Sequence, residues 1–244
     1  MIYLTNTMKA IILAGGNGTR LRPLTYCLHK TVLPVFDKPM IFYSLELLAE
    51  SGIRDVCIVV SRGFASVYLQ LLGSGSEFGL NITYKIQDEA LGIAHAIDQC
   101  RSEIQGDDCL VVLGDNLFDK GFNVKEVIDN FEGGCELFFK EVHDPERFGV
   151  PTLDGKTVLK ITEKPDNPDT NYACVGLYIF DKDLFKYIDT LEPSARGEYE
   201  VTDLNNIYIN QGLARANFYD GFWIDAGTHD SLLKANQYFY SLSN

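Results

Sequence analysis

Three glycines and two arginines fall within one short segment, residues 13–25, and together they are suited to binding phosphate. They are Gly15, Gly16, Gly18, Arg20 and Arg22. The segment follows the apolar run 10–13, which predicts a buried strand. Glycines directly after a strand let the backbone approach a ligand and turn its N–H groups toward it, while arginines add fixed positive charge. We therefore predict that this segment is a loop that binds a polyphosphate.

The spacing in this loop matches neither of the two common phosphate-binding loops. A P-loop requires Gly-x4-Gly-Lys-Ser/Thr, and no Lys-Ser or Lys-Thr pair follows a glycine at that spacing. A Rossmann loop requires Gly-x-Gly-x-x-Gly, and Leu21 stands where the third glycine belongs. The sequence therefore disfavours an oxidoreductase that uses a dinucleotide.

Two aspartates stand where apolar runs end. Asp115 follows the run 109–113, and Asp225 follows Trp223 and Ile224. A carboxylate that emerges from a buried strand is poorly solvated unless a cation meets it. The two could hold one Mg²⁺ together with phosphate oxygens and water. Each could equally be a turn or helix-capping aspartate, and 110 positions separate them, so the spacing alone does not bring them together.

Charged side chains at three further positions are either solvated surface groups or phosphate and sugar ligands. Lys30 precedes an apolar segment that ends in a proline. Glu163 and Lys164 end a predicted strand, directly before Pro165. Because proline disfavours a helical conformation in the residue before it, we expect Lys164 to be extended and both side chains to be aimed by this constraint.

Gln87 and Gly92 flank a polar segment that leads into a predicted helix. A glutamine amide can pair with both a donor and an acceptor on a pyrimidine edge, and a glycine lets a base or nucleoside approach the backbone. A plain helix-leading segment is the alternative. The histidines have no metal-ligand spacing, and we interpret each as structural or solvated. They are His29, His95, His143 and His229.

The elements that must position these residues alternate through the first half of the chain. Strands are predicted at 9–14, 56–61, 81–86 and 109–114, and helices at 40–51, 64–72 and 93–101. Such alternation predicts βαβ units and a parallel sheet. Ligands of such sheets bind at the carboxyl ends of the strands. The glycine segment and Asp115 should therefore lie at the same edge.

The second half has a different pattern. Strands are predicted at 135–142, 148–153, 156–163, 172–180, 214–218 and 221–224, and helices at 183–188 and 200–211. Asp154-Gly155 is a strong hairpin signal between the second and third of these strands. We expect one mixed α/β domain over residues 1–244, with a mostly parallel central sheet flanked by helices. A small antiparallel insertion should form the second side of a cleft.

Composition excludes several classes of protein. The chain has 244 residues, of which 46% are hydrophobic, as in ordinary globular domains. Its net charge of −13 argues against binding nucleic acid, which requires a basic face. No apolar run approaches the roughly 18 residues of a membrane span, so no membrane partner is expected.

The chain start and the cysteines favour a cytoplasmic protein. Residues 1–7 have neither a basic segment nor a long apolar one, so we do not read them as a signal peptide; Met8 is an alternative start that would make them a mobile tail. No two cysteines form a Cys-x-x-Cys pair, so a zinc or redox motif is unsupported. They are Cys27, Cys57, Cys100, Cys109, Cys135 and Cys174, and we expect reduced thiols.

The glycine segment, read through Pro23-Leu24-Thr25, resembles the signature of the sugar-1-phosphate nucleotidyltransferases. The resemblance runs from Met8 to about Asn236 and includes the segments 72–79, 144–150, 171–173 and 200–203. Within the family it is most similar to the branch that makes dTDP-glucose. The resemblance implies a Rossmann-like nucleotidyltransferase fold. It also implies Mg²⁺-assisted transfer from dTTP to α-D-glucose 1-phosphate, with release of pyrophosphate.

The resemblance also implies roles for individual residues. The catalytic set would be Arg20, Lys30, Lys164 and Asp115, with Mg²⁺ held by Asp115 and Asp225. The nucleotide would contact Leu13, Gly15, Gly16, Gly18, Thr19, Gln87 and Gly92. The sugar phosphate would contact Leu113, Gly149, Glu163, Lys164, Cys174, Arg196 and Trp223. Residues 8–135 would then be the nucleotide-binding half and residues 136–244 the sugar-phosphate-binding half. The partners would be small-molecule substrates and further copies of the chain in a homo-oligomer.

Three departures from the family pattern bear on the substrates. Val175 and Phe148 stand where members often have threonine and tyrosine, which removes two hydroxyls near the sugar. The string 89–96 resembles uridylyltransferases more than thymidylyltransferases, so dTTP and UTP remain alternatives. The sequence as given ends at Asn244, whereas long members carry a further helical segment. A non-catalytic sensor of nucleotide sugars is the distant alternative, disfavoured because both aspartates and both phosphate lysines are present.

Overall fold

A mixed β-sheet forms the centre of the structure, a computed structural model that describes residues 8–104 and 106–243. The expectation for residues 1–7 lies outside this range. The strands are β1 Lys9–Ala14, β2 Pro34–Val35, β3 Lys38–Pro39, β4 Asp55–Ser61, β5 Asn81–Gln87, β6 Cys109–Leu113, β7 Asn116–Phe118, β8 Cys135–Glu141, β9 Gly149–Asp154, β10 Thr157–Glu163, β11 Tyr172–Phe180, β12 Ala214–Phe218 and β13 Trp223–Asp225. The helices are α1 Met40–Glu50, α2 Ala65–Leu72, α3 Ile93–Asp98, α4 Arg101–Ile104, α5 Val124–Asp129, α6 Leu184–Ile188, α7 Val201–Asn210 and α8 His229–Ser241.

The sheet order is β10-β9-β11-β6-β1-β4-β5, and β8 pairs with both β11 and β12. Strands β6, β1, β4 and β5 are parallel, as the alternating pattern predicts. Strand β11 runs antiparallel to β6, and the β9–β10 hairpin extends the sheet beyond it. The expected fold class, a mixed α/β sheet with an antiparallel addition, is confirmed. The division of the chain into two functional halves remains a prediction.

The register between β1 and β6 places two predicted functional segments side by side. Leu13 pairs with Leu113, and the Gly114 N–H donates to the Leu13 carbonyl at 3.0 Å. The glycine segment therefore leaves the sheet next to Asp115. The prediction that both lie at the carboxyl edge of the parallel strands is confirmed.

Alternating side chains of β1 divide the core into two layers, one on each face of the sheet. Ile12 faces a cluster that includes side chains of α1 and α2, whereas Ile11 faces one that includes side chains of α3, α6 and α7. Both side chains are fully buried. A strand that is buried on both faces is typical of the centre of an α/β sheet.

Two helix assignments from the sequence need correction. The predicted helix 93–101 is interrupted after Asp98, where the Cys100 N–H donates to the carbonyl of Ile97, three residues back. This tighter turn separates α3 from α4. Helix α8 is absent from the sequence prediction, although Leu232, Ala235 and Phe239 recur at helical spacing and pack in a third cluster. Its N-terminus is capped by Thr228, which accepts from the Ser231 N–H.

Further elements missed by the sequence prediction are short. They are α5, the two-stranded sheet β2–β3 and strand β7, which pairs with β13; β13 itself corresponds to the strand predicted at 221–224. Segments of two or three strand residues are too short for alternation of apolar and polar side chains to reveal them. Within the described ranges, no helix is both long and apolar enough to cross a bilayer.

Candidate active site

His29 holds the glycine segment in place from beneath. Its Nε2 atom donates to the carbonyl of Gly16 at 2.8 Å, and its Nδ1 atom accepts from the Tyr68 hydroxyl at 2.5 Å. The Tyr68 hydroxyl also lies 2.6 Å from that of Thr31. All three side chains are buried. The interpretation of His29 as structural is thus supported, and its function is to fix the loop to α2.

Burial lowers the pKa of His29 to about 4. The charge of Lys30 also lowers this pKa, whereas the hydrogen bond to Gly16 raises it. Because the unfolded chain binds the proton near pH 6.5, the folded state is disfavoured as the pH falls below that value. We predict that the free energy of unfolding falls by about 2 kcal/mol more between pH 8 and pH 5 in the wild type than in His29→Gln. Urea unfolding at a series of pH values measures this difference.

The matched control for that experiment is His143→Gln, because His143 is an exposed histidine. Its unfolding should follow the wild-type pH dependence. Equal pH dependence in the wild type and His29→Gln would contradict a buried, neutral His29.

The buried Asp115 forms an ion pair with the partly buried Lys30. The Lys30 Nζ atom donates to Asp115 Oδ2, and the Asp115 side chain is only 8% exposed. Burial alone would raise the pKa of Asp115. The charge and hydrogen bond of Lys30 and a hydrogen bond from Asn116 outweigh burial and hold that pKa below its usual range. Asp115 is therefore ionised at neutral pH.

Asp225 reaches the same place from the other end of the chain. In the small β7–β13 sheet it pairs with Asn116, and the Ala226 N–H donates to the Asp115 carbonyl at 2.9 Å. Burial and the neighbouring charge of Asp115 raise the pKa of Asp225 against the opposing charges of Lys30 and Arg20. The structure thus brings together two carboxylates that the sequence spacing alone could not connect.

This pair of carboxylates fits a magnesium ion better than a metal held entirely by protein. In the described part of the chain, no group of three or more His, Cys, Asp or Glu side chains could hold a metal. Mg²⁺ commonly takes one or two carboxylates and completes its shell with phosphate oxygens and water. The repulsion that raises the pKa of Asp225 would be relieved by such a cation.

Gly15 and Gly92 are both closely packed against other residues of the protein. A Cβ atom on Gly15 would lie 2.7 Å from Gln87 Oε1, and one on Gly92 would lie 2.4 Å from the Tyr199 carbonyl oxygen. Gly92 also has a φ of +104°, which strongly favours glycine. The Gln87 Nε2 atom donates to His95 at 3.2 Å. The space that a Cβ would need at either glycine is therefore taken by protein atoms, and contacts of Gly15, Gln87 and Gly92 with a nucleotide stay a prediction.

The backbone conformation of Lys164 differs from the prediction. Pro165 was expected to hold it extended, but its φ is +44°, in the left-handed region that non-glycine residues rarely adopt. The Lys164 N–H donates to the Phe148 carbonyl at 2.9 Å, which ties the residue to the start of β9. This tertiary hydrogen bond accompanies the strained backbone. Strain of this kind is often found at functional sites.

Glu163 and Arg196 lie in a network of charges on the far side of the cleft. The Thr202 hydroxyl donates to Glu163 Oε2 at 2.6 Å. Arg196 Nη2 donates to both carboxylate oxygens of Glu200, at 2.8 and 2.9 Å, and lies 3.5 Å from a carboxylate oxygen of Glu163 and of Glu198. Burial alone would lower the pKa of Arg196, but these carboxylates raise it. A phosphate would compete with them for this guanidinium.

Two adjoining cavities form one cleft. The loop-side cavity, of about 290 Å³, is lined by Leu13, Gly15, Gly16, Lys30, Gln87, Gly92, Asp115 and Arg196. The hairpin-side cavity, of about 450 Å³, is lined by Gly149, Cys174 and Trp223. Predicted residues that line both are Arg20, Leu113, Glu163, Lys164 and Asp225. The structure therefore gathers most of the predicted site, with the cationic and acidic groups at the junction.

Three predicted residues lie elsewhere than expected. Gly18 and Thr19 line neither cavity; Gly18, with a φ of +55°, begins a short 3₁₀ turn and packs on Thr25. Arg196 lines the loop-side cavity rather than the hairpin-side one.

Comparison with known proteins identifies the family. The profile of the nucleotidyl transferase family matches residues 9–241. This chain belongs to the nucleotidyl transferase family. A glucose-1-phosphate thymidylyltransferase of Xanthomonas campestris is 42% identical to this nucleotidyl transferase over 241 residues, which are 96% of this chain and 81% of the relative.

Solved structures agree with this assignment. A Bacillus anthracis protein, provisionally assigned as a glucose-1-phosphate thymidylyltransferase and crystallised with sucrose, is 42% identical. It superposes on this nucleotidyl transferase with a TM-score of 0.90, covering 95% of this chain and 94% of that one. A UDP-glucose pyrophosphorylase in complex with UDP-glucose has a TM-score of 0.84 at 23% identity, covering 96% and 98% of the two chains. That likeness shows the shared fold alone.

Several residues of this nucleotidyl transferase site were not assigned from the sequence. Gly227 lies against Arg20, whose Nη2 atom would be 2.9 Å from a Cβ at that position. Arg147, Thr202 and Asn205 line the hairpin-side cavity. Their segments, 144–150 and 200–203, did carry the family resemblance, and that was the one available signal for Arg147 and Thr202.

Proposed function

We propose that this protein transfers a thymidylyl group from dTTP to α-D-glucose 1-phosphate, giving dTDP-glucose and pyrophosphate. The observation that carries the proposal is the loop-side cavity, where the buried Asp115 and the half-buried Asp225 lie together with Lys30, Arg20 and Lys164. The 42% identity to a glucose-1-phosphate thymidylyltransferase supports the choice of substrates. The nucleotide would occupy the loop-side cavity and the sugar the hairpin-side cavity.

The reaction would be an in-line displacement. An oxygen of the sugar phosphate forms a bond to the α-phosphorus of the triphosphate, and the bond from that phosphorus to the bridging oxygen breaks, so that pyrophosphate leaves with the electron pair. The attacking oxygen is already anionic near neutral pH, so no strong general base is needed. The protein therefore contributes position and charge stabilisation.

Bringing two anions together is the main electrostatic difficulty. Arg20 and Lys30 would bind the triphosphate, and Lys164, which lines both cavities, would bind the sugar phosphate. Arg196 borders the loop-side cavity that we assign to the nucleotide. These local charges would act despite the net charge of −13 of the whole chain. Mg²⁺, held by Asp115 and Asp225, would polarise the phosphate oxygens and offset their charge.

Pyrophosphate release tests the proposal directly. The enzyme is supplied with Mg²⁺ and glucose 1-phosphate, and dTTP, UTP, CTP, ATP and GTP are compared at equal concentration. We expect the highest kcat/KM with dTTP. Preference for UTP would show that the protein transfers a uridylyl group instead. The resemblance of residues 89–96 to uridylyltransferases would then explain the choice of nucleotide. No release with any of the five would contradict the proposed reaction and favour a sensor.

Two further properties concern location and assembly. We expect the protein to work in the cytoplasm, because five of its described cysteines are buried and all six are free. We also expect it to assemble with copies of itself. Cell fractionation and measurement of the mass in solution test these two expectations.

A further inference from the structure

Two buried polar atoms without a hydrogen-bond partner belong to side chains that line the hairpin-side cavity. They are Asn205 Oδ1 and Arg147 Nη2. Among the described residues, three buried side-chain atoms are unpaired in this way, and the third, Ser44 Oγ, belongs to α1. Buried polar atoms are nearly always paired, and leaving one unpaired carries a desolvation penalty. Two such atoms on side chains that line one cavity indicate that a bound ligand supplies their hydrogen-bond partners.

Their place in the cleft shows which part of a ligand they would meet. Arg20, Lys164 and Asp225 line both cavities, whereas Asn205 and Arg147 line only the hairpin-side one. The side chains of Asn205 and Arg147 therefore border the part of the cleft that lies away from the proposed phosphate ligands.

Asn205 is held rigidly on the cavity wall. It is 1% exposed and lies on α7, one turn beyond Val201, which lines the same cavity. The adjacent Asn206 fixes α7 to β10, since its side chain accepts from the Ile161 N–H and donates to the Ile161 carbonyl, each at 2.8 Å. An acceptor positioned in this way can discriminate between ligands that do and do not offer a donor.

Arg147 is partly exposed, and its charge is already balanced by Asp144. Its Nη1 atom donates to Asp144, and its guanidinium lies 5.2 Å from the ring centre of Phe148. Phe148 in turn packs edge-on against Trp223, with ring centres 5.3 Å apart. Because Asp144 offsets the positive charge, the free Nη2 offers a hydrogen bond without an excess charge. This favours a hydroxyl over a carboxylate as its partner.

We propose that Asn205 and Arg147 determine sugar specificity: Asn205 Oδ1 accepts a hydrogen bond from one ring hydroxyl, and Arg147 Nη2 donates one to a hydroxyl oxygen of a neutral hexose. The proposal rests on the proposed function, because it assumes that a sugar phosphate occupies this cavity. It assigns polar groups from α7 and from the segment before β9 to a cavity where Phe148 offers no hydroxyl, whereas Val175 is buried in the core and lines neither cavity.

The test combines variants with substrate analogues. Asn205→Leu is close in size and removes the acceptor, so we expect KM for glucose 1-phosphate to rise about 10-fold while KM for dTTP is unchanged. The 2-, 3-, 4- and 6-deoxy analogues are then compared. One of them should be a poor substrate for the wild type, and Asn205→Leu should no longer discriminate against that analogue.

Asn210→Leu is the matched control, because Asn210 is exposed at the end of the same helix and lines neither cavity. Should Asn205→Leu fail to fold, Asn205→Ser supplies the same comparison with the deoxy analogues. A variant that discriminates among the four analogues as the wild type does would overturn the role of Asn205.

Arg147 is tested separately with Arg147→Lys, which keeps a cation beside Asp144 and removes the second N–H donor. We expect KM for glucose 1-phosphate to rise several-fold, on the order of 5-fold, and the wild type to reject glucuronic acid 1-phosphate. Efficient use of the glucuronate would overturn the neutral-hexose assignment. A wild type inactive with glucose 1-phosphate would overturn the proposed function and this inference with it; an active wild type with unaffected variants would overturn the inference alone.

Discussion

Replacement of Asp115 by asparagine is expected to lower kcat by about 100-fold or more. Asparagine keeps the size of the side chain but removes the charge that pairs with Lys30 and that we assign to Mg²⁺. The partly buried Lys30 ammonium would then lack its counter-charge in the loop-side cavity. Pyrophosphate release under saturating substrates measures kcat, and the Mg²⁺ concentration for half-maximal rate should also rise.

Asp129→Asn is the control for this variant. Asp129 also pairs with a lysine, Lys125, but both side chains are more than half exposed and lie on α5. Losing this exposed pair should leave kcat within about 2-fold of the wild type, since exposed ion pairs contribute little. Near-normal turnover in a folded Asp115→Asn protein would be incompatible with the proposed site.

Arg20→Ala is expected to reduce kcat/KM by a similar factor, about 100-fold. Arg20 lines both cavities, so its guanidinium is placed where the triphosphate and the sugar phosphate would meet. Arg20→Lys should recover only part of the loss, because lysine cannot form paired hydrogen bonds with a phosphate. Steady-state kinetics with each substrate varied in turn measure the effect.

Arg22→Ala provides the comparison, because Arg22 lies in the same loop but stacks on Tyr26 and lines neither cavity. A Gly227→Ala variant should also lose activity, since the added methyl group would lie 2.6 Å from Asp225 Oδ1 and 2.9 Å from Arg20 Nη2 and would displace both side chains. Equal activity of Arg20→Ala and Arg22→Ala would contradict a specific role for the arginine that lines the cavities.

The strands that carry the site could be predicted because their signals are local. Strand β1 reads as an apolar run followed by glycines, and its predicted bounds, 9–14, match the structure. The position of Asp115 follows from the parallel pairing of β1 with β6, which the alternation of strands and helices implies. For these residues, periodicity and the rule for strand ends were sufficient.

The remaining parts of the site depend on contacts between distant segments. Asp225 meets Asp115 through the three-residue pairing of β7 with β13, which has no periodic signal. The left-handed backbone of Lys164 accompanies a hydrogen bond to Phe148 that overrides the influence of Pro165. The unpaired state of Asn205 depends on how α7 packs on β10. None of these relations is encoded in neighbouring residues, so sequence patterns could not reveal them.

The contact between Gly92 and Tyr199 constrains how this site can diverge. The Tyr199 N–H donates to the Leu91 carbonyl at 2.8 Å, and its carbonyl accepts from the Ala94 N–H at 3.1 Å. The segment around Gly92 borders the loop-side cavity, and so does the segment around Tyr199, which carries Arg196 and Glu200. A mutation that reshapes one segment therefore displaces the other. We expect that a variant with a new nucleotide preference, obtained by mutation near Gly92, needs compensating mutations near Tyr199. The two segments should therefore change together in evolution.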